Sequence, residues 1–408
     1  MRDYLLKRRR FKDIDIATSA PPDSVIQLFP GAIPIGRQFG VVQVRIYGRP
    51  YEVTTFRREG PYLDGRHPSE VTFCGPEEDA RRRDFTINGM LFDPVSERVI
   101  DYVDGRSDLH RKILRTIGNA QDRFEEDRLR MMRAVRLACD LDFAVEADTW
   151  EAVKRLSLRI LDVSTERIRD ELLKILTGPA PDRGLALLQE SGLLRAILPE
   201  VEAMRGVEQP PEFHPEGDVF VHTRLALGLL RKPSAVMAMG TLLHDVGKPP
   251  TFAVKDRIRF DGHMETGMIM AGEICRRLRM SNQETEQIVA LVQHHLRFMN
   301  VMEMRKSTLT RFLRIPHFED HLELHRVDCL SSHRDLSYYR FCMQALKELR
   351  NSPEPLSPLI SGVDLIAMGY RPGPRFREIL EAVEDLQIEK QLYTPEEARE
   401  YVKKTFPP

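Results

Sequence analysis

The 408-residue sequence has few cysteines, no long apolar run and almost no net charge, and each shortage excludes a class of protein. Cys74, Cys139, Cys275, Cys329 and Cys342 are scattered without CxxC spacing. This argues against a disulfide framework and a zinc ribbon, and it fits the reducing cytoplasm. No apolar stretch approaches the ~20 residues that span a bilayer, and the basic start, MRDYLLKRRR, leads into no apolar signal segment. No membrane partner is therefore expected. A formal charge of -1 leaves no global positive field, so a nucleic-acid partner would have to be met by local basic patches. Internal repeats and low-complexity tracts are missing too. The balance of 42% hydrophobic and 30% charged residues is that of an ordinary folded chain.

What is present changes period part-way along. DIDIAT, VVQVRIY and YEVTTF (the last two joined through Gly48-Arg49-Pro50) and VIDYVD read as strands, so residues from Asp13 to about Asp104 predict an α+β region with an antiparallel sheet. After Gly118 the pattern turns helical, in RLRMMRAVRLACDL, TWEAVKRLSLRIL, ERIRDELLKILT and RGLALLQESGLLRAIL, and stays so almost to the end. Breakers at Gly178-Pro179-Ala180-Pro181, at Gln209-Pro210-Pro211 and from Ser352 to Pro358 mark boundaries in the helical part.

In a strand, residues i and i+2 share a face, so Asp13 and Asp15 point one way while Ile14 and Ile16 pack into the core. Glu52, in the alternating YEVTTF, could add a third carboxylate from an adjacent strand. Three oxygen ligands around paired Mg²⁺ ions are what in-line nucleotidyl transfer requires. The bland alternative is a surface strand that alternates acid with apolar residues. RRRDFTINGM sets Arg81, Arg82 and Arg83 before Asp84 and Asn88, a grouping suited to neutralising polyphosphate. RFEEDRLRMMRAVR places Glu126, Asp127, Arg130, Arg133 and Arg136 on one helix, with Asp127 and Arg130 on a shared face. An intrahelical ion pair is the competing explanation there.

Taken in order, RDYLL with DIDIATSA, GRQFGVV, EVTTFRREGPYLDGRHP, RRDFTIN, EEDRLRMMRAVR and STERIRDELLKIL resemble the class II tRNA nucleotidyltransferases and their bacterial poly(A) polymerase relatives. The resemblance implies a polymerase β-like nucleotidyltransferase head over 1–112, N-terminally truncated, and a helical neck and body over 113–206 that binds the nucleotide base and RNA. It implies that Asp13, Asp15 and Glu52 are catalytic, with Mg²⁺ on Asp13 and Asp15. Arg2, Arg81, Arg82, Arg83, Asp84 and Asn88 would belong to the nucleotide pocket, and Asp127 with Arg130 would read the base. Cytosine and adenine each show an amino donor beside a ring-nitrogen acceptor, matching a carboxylate and a guanidinium; guanine and uracil reverse that order. Arg133 and Arg136 contact triphosphate or stabilise the neck. Gln38-Phe39-Gly40 resembles the tRNA-specific branch, and the full-length loop REGPYLDGRHPSEV favours CCA or terminal A addition over CC addition. The implied partners are tRNA, CTP and ATP. In the family, the residues matching Arg2-Asp3 follow a strand and a glycine pair, so the resemblance implies that Met1 is a misassigned or alternative start and that this form has a raised KM for NTP.

The helical half carries VFVHTRLALGLL, LLHDVGKP, FDGHMETG, LVQHHLRFM and LHRVDCLSSH. Imidazole and carboxylate together suit a divalent transition metal. The order of these residues resembles the HD superfamily of metal-dependent phosphohydrolases, here over 207–350 and followed by a helical tail over 351–408. The implied ligands are His222, His244, Asp245 and Asp328, with His263 and His295 available to a second ion and His294 as the alternative to His295. By that resemblance the domain would hydrolyse phosphomonoesters or 2',3'-cyclic phosphates; the alternative is a helical scaffold that grips tRNA. Two other readings stay open for the whole chain: A-only or poly(A) addition, and an HD phosphohydrolase whose N-terminal half is an inactive RNA-binding module.

Overall fold

The computed structural model describes residues 1–7, 14–36, 39–60, 71–351 and 357–407. Asp13, Gln38 and residues 61–70 of the REGPYLDGRHPSEV loop lie outside the described residues. Two compact units divide the chain, one of 1–205 with 232–239 and 273–281, the other of 206–231, 240–272 and 282–408.

In the first unit, β1 (Ile16–Thr18), β2 (Ile33–Gly36), β3 (Val41–Ile46) and β4 (Arg49–Thr55) form a sheet in the order β1-β4-β3-β2. It is antiparallel from β2 to β4, and β1 joins β4 in parallel. Alternation along β3 and β4 puts Val42, Val44 and Val53 on one face, where they bury against Val25 of the helix Pro22–Leu28. The hairpin turn is Tyr47-Gly48, with φ of 49° and 77°, the two positive values that a two-residue turn needs to match strand twist. Arg49 and Pro50 are already in β4, opposite Ile46 and Arg45, which corrects the expected Gly48-Arg49-Pro50 link. Pro50 is tolerated because β1 pairs only with Val53 to Thr55, so the start of β4 has one open edge.

Ile14 and Ile16 do not enter the core; they are 57% and 37% exposed. β1, which begins at Ile16, is three residues long, and the covering helix packs chiefly over β2, β3 and β4. Alternation assigns a face, but that face is covered only where the helix reaches.

The expected single helix from Glu126 to Arg136 is also broken. One helix, Ala120–Glu126, ends before Asp127, which is extended, and the next runs Arg130–Leu141. The Asp127 carboxylate accepts from the backbone N–H of Leu129 at 3.1 Å, so the side chain offers the backbone an alternative to continuing the helix. Arg130–Leu141 then buries Met131, Met132, Ala134, Val135, Leu137 and Ala138 as it packs on Thr165–Leu176 and Pro181–Glu190.

The second unit is helical apart from the short ladder Ala253–Val254 with Ile258–Arg259. It holds Val219–Gly228, Asn282–His294, Phe318–Ser331 and the first turns of His263–Arg277. Its C-terminal helices close around Leu365, Tyr370, Ile379, Val383 and Val402. Among the described residues, no helix is long and apolar enough to cross a membrane.

Candidate functional site

Two groups of chemistry-bearing residues emerge, one in each unit. In the first, the parallel register pairs Ile16 with Val53, so one residue earlier Asp15 stands level with Glu52. Both fall on the face opposite the valine core, and both are exposed. Two carboxylates from neighbouring strands thus share an open face, a donor set that fits a hard cation.

The basic run after the helix Pro76–Arg81 divides its partners by burial. Arg82 and Arg83 both turn to the buried Asp79, at 2.8 Å and 3.0 Å, while the exposed Arg81 pairs with Glu77 one turn back at 2.9 Å. Burial alone would raise the Asp79 carboxyl, but the two guanidiniums hold it below its ordinary range. Asp84 is buried and fully engaged. One oxygen accepts from the Phe85 N–H and from Asn88 Nδ2, and the other accepts from Arg133 Nε and Nη2 at 3.0 and 2.6 Å. Asn88 Oδ1 accepts in turn from Arg2 Nη1 at 2.8 Å. A chain of polar contacts therefore links Arg2, Asn88, Asp84 and Arg133. Arg136 donates to Glu171 at 2.5 Å and to Asp140 at 3.1 Å, tying the neck helix to its neighbour.

Asp127 and Arg130 are joined by a backbone bond, Arg130 N–H to the Asp127 carbonyl oxygen at 3.0 Å, but their side chains take other partners. Asp127 accepts from Arg167 Nη2 at 2.8 Å, and Arg130 donates to Glu126 at 2.7 Å and to the carbonyl oxygens of Arg123 and Arg82. The i,i+4 partner of Arg130 is thus Glu126. Arg167 and Asp79 were not singled out from the sequence; each sits in a stretch with several equivalent charges.

In the second unit, four histidines are held by the same device. Nδ1 of His222 is bonded to Glu216, and Nδ1 of His244, His263 and His295 to the carbonyl oxygens of Thr241, Phe260 and Val292, at 2.7 to 2.8 Å. With Nδ1–H donating, a ring in its neutral form presents a bare Nε2 lone pair. His222 Nε2 lies 3.3 Å from His244 Nε2 and 3.0 Å from Asp328 Oδ1, and His244 Nε2 lies 3.2 Å from Asp245 Oδ2. Asp245 Oδ1 faces His295 Nε2 at 3.6 Å and His263 Nε2 at 4.0 Å, and these three atoms are buried without a hydrogen-bond partner. Burial pushes His295 down to about 4 and also lowers His263, so both rings are neutral. Burial lowers His222 as well, but Asp328 and Glu216 outweigh it and raise the ring to about 9. That is the anionic surrounding in which a proton and a cation compete for one Nε2. Orphaned imidazole and carboxylate atoms converging on Asp245 fit a divalent transition metal, and Asp245 stands between two candidate positions.

Gly247, two residues after Asp245, makes this geometry possible. A Cβ there would lie 2.1 Å from the His263 carbonyl oxygen, so only glycine lets the start of His263–Arg277 approach the HD turn. His294 turns away from the cluster toward His321, with ring centroids 5.7 Å apart. Four contributors went unnoticed in the sequence. Lys248 donates to Asp245 and to Gln209, each at 2.7 Å, and His214 joins His222 in bonding Glu216. Lys248 was legible in principle, one helical turn from Asp245; the others sit in a loop with no periodicity.

Residues 1–115 match the poly A polymerase head domain, 142–205 the probable RNA and SrmB-binding site of polymerase A, and 214–325 the HD domain. The chain thus matches, in order, a poly A polymerase head model and an HD-domain model. Among curated relatives, the CCA-adding enzyme of Geobacillus stearothermophilus is 46% identical over 200 residues, 49% of this chain and 49% of its own. That of Lactobacillus johnsonii is 41% identical over 217 residues, 53% of each chain. The matched span is thus about half the length of these relatives. The crystal structure of the Bacillus stearothermophilus CCA-adding enzyme in complex with CTP aligns over 99% of this chain and 90% of its own, with TM-score 0.74 and 27% identity. The Thermotoga maritima CCA-adding enzyme complexed with tRNA aligns with TM-score 0.60 at 18% identity, over 99% of this chain and 89% of its own, a likeness of fold.

Proposed function

We propose that this chain adds C and A to the 3' end of tRNA, without a nucleic-acid template, from CTP and ATP. The observation that carries the reading is the β1–β4 register, which carried one residue beyond Ile16 and Val53 sets the exposed Asp15 and Glu52 level with each other, in a chain whose relatives are CCA-adding enzymes. Asp15 and Glu52, with Asp13, are the groups that would hold Mg²⁺, which when bound neutralises charge on the attacking hydroxyl and leaving pyrophosphate. Among the described residues Arg81 pairs with the exposed Glu77 four residues back, a pair worth little that it can exchange for a polyphosphate. Asp127, steadied by Arg167, accepts from the amino group of cytosine or adenine, and Arg130 donates to the ring nitrogen. A guanine or uracil edge would set donor against donor, at about 1–3 kcal/mol for each buried mispair. The test is extension of tRNA lacking its CCA end in Mg²⁺ with each nucleotide separately. Incorporation of C and then A supports the reading, and A-only or poly(A) products replace it with terminal adenylation.

The four Nε2 atoms gathered around Asp245 and Asp328 favour a second activity, metal-dependent hydrolysis of phosphomonoesters or 2',3'-cyclic phosphates at RNA ends. His222, His244, Asp245 and Asp328 would hold one divalent transition metal and Asp245, His263 and His295 another; bound there, such an ion supplies a Lewis acid for a phosphoryl oxygen. Lys248 places a buried cation beside the same carboxylate. Replacing His244 and Asp245 together by Ala should remove phosphatase activity and spare nucleotide addition. Loss of addition in a folded variant would favour a tRNA-gripping scaffold. We propose domain limits of 1–112, 113–206, 207–350 and 351–408, and a reducing cytoplasm suits five cysteines that are all free.

A further inference from the structure

The loop between the two helical regions, residues 206–218, is built inward. Asp218 closes it, accepting from the Gly206 N–H at 2.6 Å with one oxygen and capping the helix Val219–Gly228 through the Val221 N–H at 2.8 Å with the other. Held this way, the loop sends Glu216 under the cluster. Glu216 Oε1 lies 2.7 Å from His222 Nδ1 and 2.9 Å from His214 Nδ1, and the two rings meet edge to face at 5.0 Å. The His222 side chain is wholly buried and its opposite nitrogen faces His244 and Asp328.

We infer that Glu216 is a positioning residue for the metal centre proposed above: it fixes His222 as the Nδ1–H tautomer, so that Nε2 is the nitrogen offered to the cation, and His214 anchors the carboxylate that does so. The inference rests on the metal reading of the HD domain. A separation of 2.7 Å is that of a charge-assisted hydrogen bond and is short for two ligand atoms sharing an ion, so Glu216 acts through His222 and not on the metal itself. The other three rings take their Nδ1 acceptors from carbonyl oxygens one turn back on the same chain segment. His222 alone uses a carboxylate, and that carboxylate comes from a loop. Among the described residues, the other polar neighbour at Nδ1 is the Ser331 hydroxyl, at 3.3 Å, a weaker stand-in.

The experiment is a Co²⁺ titration of the metal-depleted full chain, followed by the visible absorption of the bound ion. Glu216→Ala should weaken binding by about 10- to 100-fold and change the spectrum, and Glu216→Ala with Ser331→Ala should weaken it further. Glu216→Gln should recover most of the affinity, because its amide oxygen still accepts from Nδ1–H, and it serves as the near-isosteric variant if Ala perturbs folding. Wild-type affinity in both Ala variants overturns the inference, as does a Gln variant no better than Ala at an unchanged melting temperature. Asp245→Ala separates the two claims. If the wild-type chain binds no Co²⁺, or Asp245→Ala binds as tightly, the metal reading itself fails and the role of Glu216 falls with it.

Discussion

Replacing Asp84 with Asn tests whether this residue meets the nucleotide or locks the sheet region to the neck. Both carboxylate oxygens are used: one accepts from Phe85 N–H and Asn88, the other receives two bonds from Arg133. A carboxamide cannot satisfy both sides. Either its NH₂ faces the Arg133 guanidinium or, flipped, it faces the Phe85 N–H and the Asn88 amide, and each choice sets donor against donor. Breaking a buried pair by removing one partner costs about 3–5 kcal/mol, but the Arg133 side chain is 36% exposed and water can take up its charge. We therefore expect a loss of about 2 kcal/mol at pH 7, read as a lower urea midpoint with an unchanged slope.

The same pair makes a pH prediction of definite sign. Burial would raise the Asp84 carboxyl, but Arg133 and Asn88 hold it below its ordinary 3.8. A depressed carboxyl contributes stability that is full above about pH 3.8 and is lost as pH falls through the folded value. The gap between wild type and Asp84→Asn should therefore be widest near neutrality and close progressively below that point. A variant as stable as wild type at pH 7 with a raised KM for NTP would refute the lock and return Asp84 to the nucleotide pocket.

Asp15→Ala and Glu52→Ala should each abolish Mg²⁺-dependent extension while leaving the melting temperature unchanged, since both side chains are exposed; full extension by either would end the shared-cation assignment. Arg167→Ala should lower the CTP-to-UTP preference in the same direction as Asp127→Ala, because it frees the carboxylate that reads the amino group; an unaltered ratio in both would leave only an ion pair. Gly247→Ala would set a Cβ 2.1 Å from the His263 carbonyl oxygen and 2.6 Å from the Gly267 nitrogen, both backbone atoms that cannot rotate away. Metal sites tolerate displacements of about 0.2 Å, so calorimetry should show metal binding at Asp245, His263 and His295 weakened with nucleotide addition retained, and an unchanged titration would count against that position.

The parts of this molecule legible in its sequence are those where residue chemistry leaves few choices. His222 on its helix, His244 and Asp245 in the turn after the apolar helix Ala235–Leu243, and Asp328 on Phe318–Ser331 have little to do beside a core except meet one another, and they are gathered within one cluster. The switch from strand to helix period near Gly118 was readable for the same reason, since only one face pattern fits each segment. Arginines were not readable in this way. Between residues 77 and 84 two glutamates and two aspartates compete for three guanidiniums, and spacing alone permits nearly every pairing. Burial breaks the tie. Asp79 and Asp84 are excluded from water and so must take charged donors, which draws Arg82 and Arg83 to one and Arg133 to the other, while the exposed Glu77 keeps the pair of least consequence. Burial in turn depends on which helices cover which strands. Ile14 and Ile16 lie beyond that cover for the same reason, and Glu216 reaches His222 only because the Asp218 clasp folds its loop beneath the cluster.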